Sequence, residues 1–299
     1  MDLGAIAISG SGGLIGSALI RILVEARIIR LVRTGGHDAD SVLWDPVQGS
    51  IDTERLEGCS AVVHLAGEPI AAGRWSPEIK ERIRASRVEG TRILADGLTR
   101  LKRPPRVLIS ASAIGYYGER GEEELTEDSA PGDGFLAQVG REWEKAASRA
   151  AQAGIRVVHL RTGLVLARQG GAFPRLMLPF KLGIGGRLGT GRQWMSWIHI
   201  YDLVRIIRFL LINEDVHGAV NAVSPTPVRN SEFSRALGRA LHRPALMPLP
   251  ASVMRLMVGE MADSLLLCSQ RVIPRRLMDL RFPFKFPTLA EAFADLVKG

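Results

Sequence analysis

Cysteine is almost missing from this chain: Cys59 and Cys268 are the only two among 299 residues. Two thiols make no disulfide framework, and they suit core or half-buried positions in a reducing compartment. Metal-ligand spacing is missing as well. The six histidines are scattered, with no His-x-x-x-His pair and no Cys-x-x-Cys, so no metal is expected. No apolar run approaches the roughly 20 residues that span a bilayer. The N-terminus has no basic leader, and its apolar run reads as a first strand. The expectation is a cytoplasmic protein with no membrane partner. Internal repeats and low-complexity segments are absent too.

What is present is ordinary for a globular protein: 46% apolar and 23% charged residues, enough for one large domain or one plus a small appendage. The formal net charge is +8, which raises nucleic-acid binding as a possibility. The basic residues, such as Arg82, Arg84, Arg141, Arg205 and Arg239, are spread through the chain. The densest group is Arg271, Arg275 and Arg276, with no interleaved aromatics to stack bases. No nucleic-acid partner is expected. An anionic cofactor or substrate accounts for a positive surface equally well.

The informative stretch is Gly10-Ser11-Gly12-Gly13-Leu14-Ile15-Gly16. It follows the apolar run 3–9 and opens a segment, 14–26, with apolar residues at helical spacing. A glycine-rich turn between strand and helix leaves N–H groups pointing outward, and the helix start adds positive partial charge. Together they cradle phosphates. The spacing departs from the strict Gly-x-Gly-x-x-Gly fingerprint, and a structural turn without ligand is the alternative. A second strand, 28–32, ends at Arg33. An acid there would select NAD by holding the ribose 2′-hydroxyl, whereas an arginine suits the 2′-phosphate of NADP. Asp38 and Asp40 lie too far along for that role. NADP is the expected cofactor, with a solvated surface arginine as the alternative for Arg33.

Strand and helix patterns then alternate. Strands are expected at 41–44, 61–65, 107–110 and 155–160. Ser76-Pro77-Glu78 starts a long helix, with serine as cap and proline at the first position. Asp133 is expected to cap a helix that runs to about residue 153 and ends at Gly154. The alternation implies an α/β fold, a doubly wound parallel sheet of Rossmann type. Ligands bind beyond the C-terminal strand ends in such sheets. Beyond Gly163 the pattern loosens, and Pro244, Pro248 and Pro250 mark a break. The expected division is a cofactor-binding domain over 1–247 and a small helical lobe over 248–299.

Several further motifs occur in order. They are Val63-His64-Leu65-Ala66-Gly67-Glu68-Pro69-Ile70, Ser86-Arg87-Val88 with Thr91, and Ser110-Ala111-Ser112-Ala113-Ile114-Gly115-Tyr116-Tyr117-Gly118. Trp143-Glu144, Trp197-Ile198-His199-Ile200, Gly259-Glu260-Met261 and Gln270-Arg271-Val272-Ile273-Pro274 follow. Together they resemble the extended short-chain dehydrogenase/reductases. More closely, the chain is similar to their atypical branch of NAD-dependent epimerase/dehydratase-like proteins with a small C-terminal domain of unknown function. The resemblance covers nearly the whole chain. It implies that Gly10, Ser11, Gly13, Leu14, Ile15 and Gly16 hold the pyrophosphate and Arg33 the 2′-phosphate. It places Leu65 and Ala66 along the adenosine and ribose side, Arg87 near the cofactor, and Leu164 at the nicotinamide end.

Ordinary members of that family work with a serine, a tyrosine and a lysine. Ser112 matches the serine, with a turn-forming hydroxyl as the alternative. Aligned on Glu144, however, the tyrosine position is Leu136 and the lysine position is Gly140. Neither moves a proton, and losing a positioned acid/base forfeits about 10²- to 10⁴-fold in rate. Tyr116 and Tyr117 are the candidate replacements, with plain packing as their alternative. Arg87 is a candidate to stabilise an oxyanion. His199 reads as a helix cap or core residue more readily than an acid/base. Lys145 reads as solvent-facing, and Arg192 and Arg271 as substrate contacts or surface residues. The expected function is an NADP-binding oxidoreductase or epimerase-like enzyme acting on an unknown small molecule. The alternative is a non-catalytic protein that senses NADP.

Overall fold

Alternation along the first strands decides which side chain meets which layer. Ile6, Ile8, Ala61, Val63, Val107 and Ile109 share one buried cluster, while Ala7, Val62 and Leu108 between them belong to another. The first cluster takes Leu19 from one helix, Leu23 from that helix's C-terminal cap, and Leu203, Ile206, Ile207 and Leu210 from a second helix. The other takes Ile93, Leu94 and Leu98. A sheet buried on both faces must be covered by helices on both, as observed.

A computed structural model describes residues 3–35, 39–71 and 73–297. The strands are β1 Ala5–Ser9, β2 Arg27–Val32, β3 Ser41–Asp45, β4 Ser50–Ile51, β5 Ala61–His64, β6 Val107–Ala113 and β7 Glu124–Leu125. They continue with β8 Arg156–Thr162, β9 Leu164–Leu166, β10 Trp194–Met195, β11 Trp197–His199, β12 Gly218–Ala222, β13 Val228–Arg229 and β14 Arg271–Val272. The helices are α1 Leu14–Ile22, α2 Pro77–Leu98, α3 Phe135–Ala146, α4 Ser148–Gln152 and α5 Phe173–Lys181. α6 Ile200–Ile212, α7 Asn230–Ala240, α8 Ala251–Val258, α9 Arg275–Asp279 and α10 Leu289–Val297 complete the set.

The main sheet has eight strands in the order β12-β8-β6-β5-β1-β2-β3-β4. Its pairs are parallel except the short β3–β4 ribbon. From β1 the chain leaves through α1 to β2 on one side, and β5 later lies on the other. The order therefore reverses between β1 and β5, and a crevice opens beyond their C-terminal ends.

Four local expectations need correction. α1 stops at Ile22 rather than 26, because the chain must turn to enter β2 at Arg27. β6 continues to Ala113, so Ser112 lies inside the strand, opposite Arg161 of β8. Gly134 rather than Asp133 caps α3: its φ of 91° is a left-handed entry suited to glycine, and no side chain caps the helix. The helix also breaks at Ala147 before α4. The edge strand β12, which follows α6 after a short loop, has no counterpart among the strands expected from sequence.

The segment after residue 248 shares its buried residues with earlier elements. Phe293 of α10 stacks on Phe173 at 5.6 Å and meets Phe233 edge-on at 5.3 Å. β14 pairs in parallel with β7. Among the described residues no helix is long and apolar enough to cross a membrane. No group of three or more His, Cys, Asp or Glu side chains there is placed to hold a metal ion.

Candidate functional site

The glycine turn sits at the end of β1, in the crevice. Gly10 has φ +67°, and a Cβ built on it would lie 3.0 Å from the Ala66 nitrogen and the Leu65 carbonyl carbon. A Cβ on Gly16 would lie 2.3 Å from the Gly10 oxygen. A Cβ on Gly13 would lie 3.2 Å from the same atom, whereas Gly12 faces open space. Gly10 and Gly16 thus permit a close crossing, and Gly13 closes the turn by donating its amide to Gly10 O at 2.9 Å. Gly13 is also the α1 cap, with no side-chain cap bond and no acid in the first turn. The amides of Leu14, Ile15 and Gly16 have no partner among the described residues. Every helix start leaves such donors open, and here they face a glycine-lined opening where an anion can take them. Ser11 lies half-buried in the same turn.

Beneath the turn lies a tie that sequence reasoning missed. Ser9 and His64 pair across β1 and β5 and are fully buried. Ser9 Oγ accepts from the amides of Leu65 at 3.1 Å and Ala66 at 3.2 Å. Its proton therefore goes to His64 Nδ1, 2.6 Å away. Burial pushes the His64 pKa down to about 4, which keeps the ring a neutral acceptor. This tie holds Leu65 and Ala66 against Gly10. The available signal was a histidine inside an apolar strand.

Arg33 is exposed just past β2, with no partner among the described residues. Asp40 is engaged elsewhere, with Oδ1 2.8 Å from Arg27 Nε, while Asp38 lies outside the described residues. Among the described residues no acid pairs with Arg33 at the end of β2. Arg87, on α2, is buried, and its guanidinium donates only to carbonyls, Ile83 O and Glu68 O, each at 3.0 Å. Burial pushes its pKa down to about 10, against the pull of Glu68, so it stays a cation at neutral pH. Gly67 lies over it: a Cβ there would be 3.4 Å from Arg87 Cζ. Leu164 opens β9, donates its amide to Ser196 O at 2.9 Å, and turns its side chain toward the cluster around Phe173.

The serine and tyrosines lie together at the ends of β6 and β8, but two of the three are engaged. Ser112 Oγ donates to Glu144 Oε1 at 2.8 Å. Glu144 also takes a bidentate pair from Arg161, at 2.8 Å from Nε and 2.9 Å from Nη2. Arg161 Nη1 donates to the Tyr117 oxygen at 2.9 Å and to Glu127 O at 3.1 Å. Tyr117, wholly buried, donates in turn to Asn221 Oδ1 at 2.7 Å. Burial pushes the Tyr117 phenol up to about 12 despite Arg161. For Arg161, burial alone would lower the pKa, but the Glu144 bonds and charge outweigh it and the net shift is upward. Asn221 donates its amide to Glu127 Oε1 at 3.0 Å and its side-chain nitrogen to Ile273 O at 3.0 Å. Burial raises the Glu127 pKa, and its Oε2 is buried without a partner. Tyr116 is half-buried, its ring 3.6 Å from Arg161 Cζ, and its hydroxyl makes no bond among the described residues.

The positions of the missing pair are filled. A Cβ on Gly140 would lie 3.2 Å from Tyr116 Cα, and one on Gly115 would lie 3.3 Å from Leu136 Cβ. The turn Ile114–Tyr117 occupies the face of α3 where tyrosine and lysine would project. Elsewhere, His199 caps α6, accepting from the Tyr201 amide at 3.1 Å. Lys145 and Arg192 are exposed. Arg271 stacks on Trp194 at 5.0 Å and faces Glu124 at 3.3 Å.

A doubly wound sheet with a glycine turn at its switch point defines a Rossmann-type nucleotide-binding protein. The chain belongs to the NAD dependent epimerase/dehydratase family, whose model matches residues 6–222; a domain of unknown function matches 249–296. It is 42% identical over 289 residues to epimerase family protein MT2273 of Mycobacterium tuberculosis, covering 96% of this chain and 95% of that one. It is 37% identical over 298 residues to human epimerase family protein SDR39U1, covering 97% and 98%. A crystal structure of human SDR39U1 (isoform 2) with NADPH superposes with a TM-score of 0.91 at 34% identity, over 98% of this chain and 99% of that one.

Proposed function

We propose that this chain binds NADP(H) in the crevice beyond β1 and β5 and serves as an oxidoreductase or epimerase-like enzyme for an unidentified small molecule. The carrying observation is the turn itself: a cradle that a Cβ at Gly10 or Gly16 would fill, with three amides at a helix start that have no partner among the described residues. Arg33, at the end of β2 and without a partner among the described residues, favours the 2′-phosphate. The NADPH in the human relative's crystal structure supports the same choice. When bound, the dinucleotide supplies hydride transfer. Gly10 to Gly16 would hold the pyrophosphate, Leu65 and Ala66 the adenosine side, and Arg87 and Leu164 the far end. Ser112 donates to Glu144, so its remaining capacity is to accept a hydrogen bond from a substrate hydroxyl. Tyr116 carries the one phenol of the candidate set without a partner and is the proposed proton donor. Neither nucleic acid nor membrane enters this reading, and a cytoplasmic location does.

A second reading has its own support. The engaged hydroxyls of Ser112 and Tyr117 fit a protein that senses NADP(H) without turning it over. Titration calorimetry with NADPH and NADH tests the shared part: equal or tighter NADH binding refutes the 2′-phosphate assignment, and Arg33→Ala should weaken NADPH alone. Single-turnover oxidation of bound NADPH by a panel of carbonyl compounds separates the two readings. No oxidation with tight binding favours the sensor. Oxidation unaffected by Tyr116→Phe removes Tyr116 from the mechanism.

A further inference from the structure

One cation near the phosphate end of the crevice has no assigned role. Arg168 follows β9, is exposed, and has no partner among the described residues. Just beyond it, Gly170 and Gly171 adopt φ +76° and +67°, a left-handed pair that only glycine takes without strain. The pair folds the loop back onto the start of α1. A Cβ on Gly171 would lie 2.9 Å from Leu14 Cδ2, and one on Gly170 would lie 3.5 Å from Leu14 Cδ1. Leu14 is the first residue of α1 and carries one of the unpartnered amides. The loop 167–172, brought there from far downstream, thus packs on the side chain of the residue that opens the helix of the phosphate cradle. Three residues span at most about 11 Å, so Arg168 is tethered within reach of the cradle.

Backbone amides and a helix start offer only partial charges. A diphosphate carries a full negative charge on each phosphate, and a guanidinium binds such oxygens through paired, charge-assisted bonds. We propose that Arg168 clamps the diphosphate bridge of the dinucleotide from this loop, while Arg33 serves the 2′-phosphate. The assignment rests on the NADP(H) reading above. A nucleoside diphosphate substrate would present the same chemistry, so the test separates the two sources. Wild type and Arg168→Ala are titrated with NADPH, with NADH, and with UDP in the presence of saturating NADPH. Arg168→Ala should weaken NADPH and NADH by the same factor, about tenfold to a hundredfold. Arg168→Lys should recover part of it. Unchanged affinity for both cofactors overturns the clamp and leaves the cofactor reading standing. A loss confined to NADPH moves Arg168 to the 2′-phosphate, and a loss confined to UDP moves it to a substrate; either overturns the proposal. Wild type that binds neither cofactor overturns the cofactor reading and the clamp with it. Because Arg168 is exposed, its variants should unfold at the wild-type temperature, which checks that the losses are local.

Discussion

Replacing Glu144 with glutamine should destabilise the protein by about 3 kcal/mol. The substitution keeps the shape and removes one charge. Arg161 is 5% exposed and Glu144 13%, so the pair is nearly out of water but not sealed. Removing one partner of a buried ion pair costs about 3–5 kcal/mol, and partial exposure of Glu144 selects the lower end. Geometry points the same way. The glutamine oxygen can still accept from Ser112 and Arg161 Nε, but its nitrogen would face Arg161 Nη2, a donor against a donor. For a chain of this size about 2 °C accompanies each kcal/mol, so the unfolding midpoint should fall by about 6 °C. Urea unfolding followed by circular dichroism measures the free energy, and calorimetry the midpoint. A double variant, Glu144→Leu with Arg161→Met, sharpens the test. An apolar pair often replaces an ion pair at little loss. Here Arg161 also serves the Tyr117 oxygen and Glu127 O, so the double variant should remain about 1–2 kcal/mol less stable than wild type. A loss below about 0.5 kcal/mol for Glu144→Gln, the range of ordinary surface changes, would refute the view that this network is a structural lock.

Three other outcomes are expected. Gly16→Ala should weaken NADPH binding about tenfold or more, whereas Gly12→Ala should leave it within about twofold, because only the first meets backbone; equal effects in calorimetry would contradict the crossing geometry. Installing tyrosine at 136 and lysine at 140 should yield no hydride-transfer gain and should cost about 1–3 kcal/mol, since Tyr116 already occupies the space; a double variant as stable as wild type in urea sinks that account. His64 has a folded pKa near 4 against an ordinary 6.5. Below pH 6.5 the unfolded chain binds a proton there that the folded chain refuses until about pH 4. Stability should therefore drop as the pH is lowered through that window, by up to about 1.4 kcal/mol per unit, and this contribution is complete above it. His64→Asn should flatten that slope in unfolding measurements, and an unchanged slope would count against a buried neutral ring.

How much the sequence revealed depended on distance along the chain. The cradle was legible because Gly10 to Gly16 are contiguous and their order between strand and helix carries the physics. Ser76-Pro77 marked the start of α2 for the same local reason, and Ser76 does accept from the Ile79 amide. The network around Ser112 was not legible. Glu127, Glu144, Arg161 and Asn221 come from four separate segments, and nothing local pairs them. An arginine among the apolar residues of β8 was the one available hint. Asp133 misled because a good capping residue stands beside a glycine whose left-handed φ opens the helix. Leu136 and Gly140 showed that the usual pair is missing, but only packing shows that Tyr116 and Gly115 fill its place.

The pairing of β14 with β7 has a consequence for synthesis. Gln270 donates to Ile114 O and Gly118 O, Asn221 reaches Ile273 O, and Val272 packs with Tyr117. On the ribosome, β1, α1, β2 and β5 emerge and can assemble the phosphate cradle long before residue 270 leaves the exit tunnel. The bonds that Gln270 and Ile273 add around the hydroxyl cluster form only once that later segment has arrived. A chain that stops short of residue 270 would therefore carry the glycine turn while the Ile114 and Gly118 carbonyls of its tyrosine turn lack the bonds from Gln270.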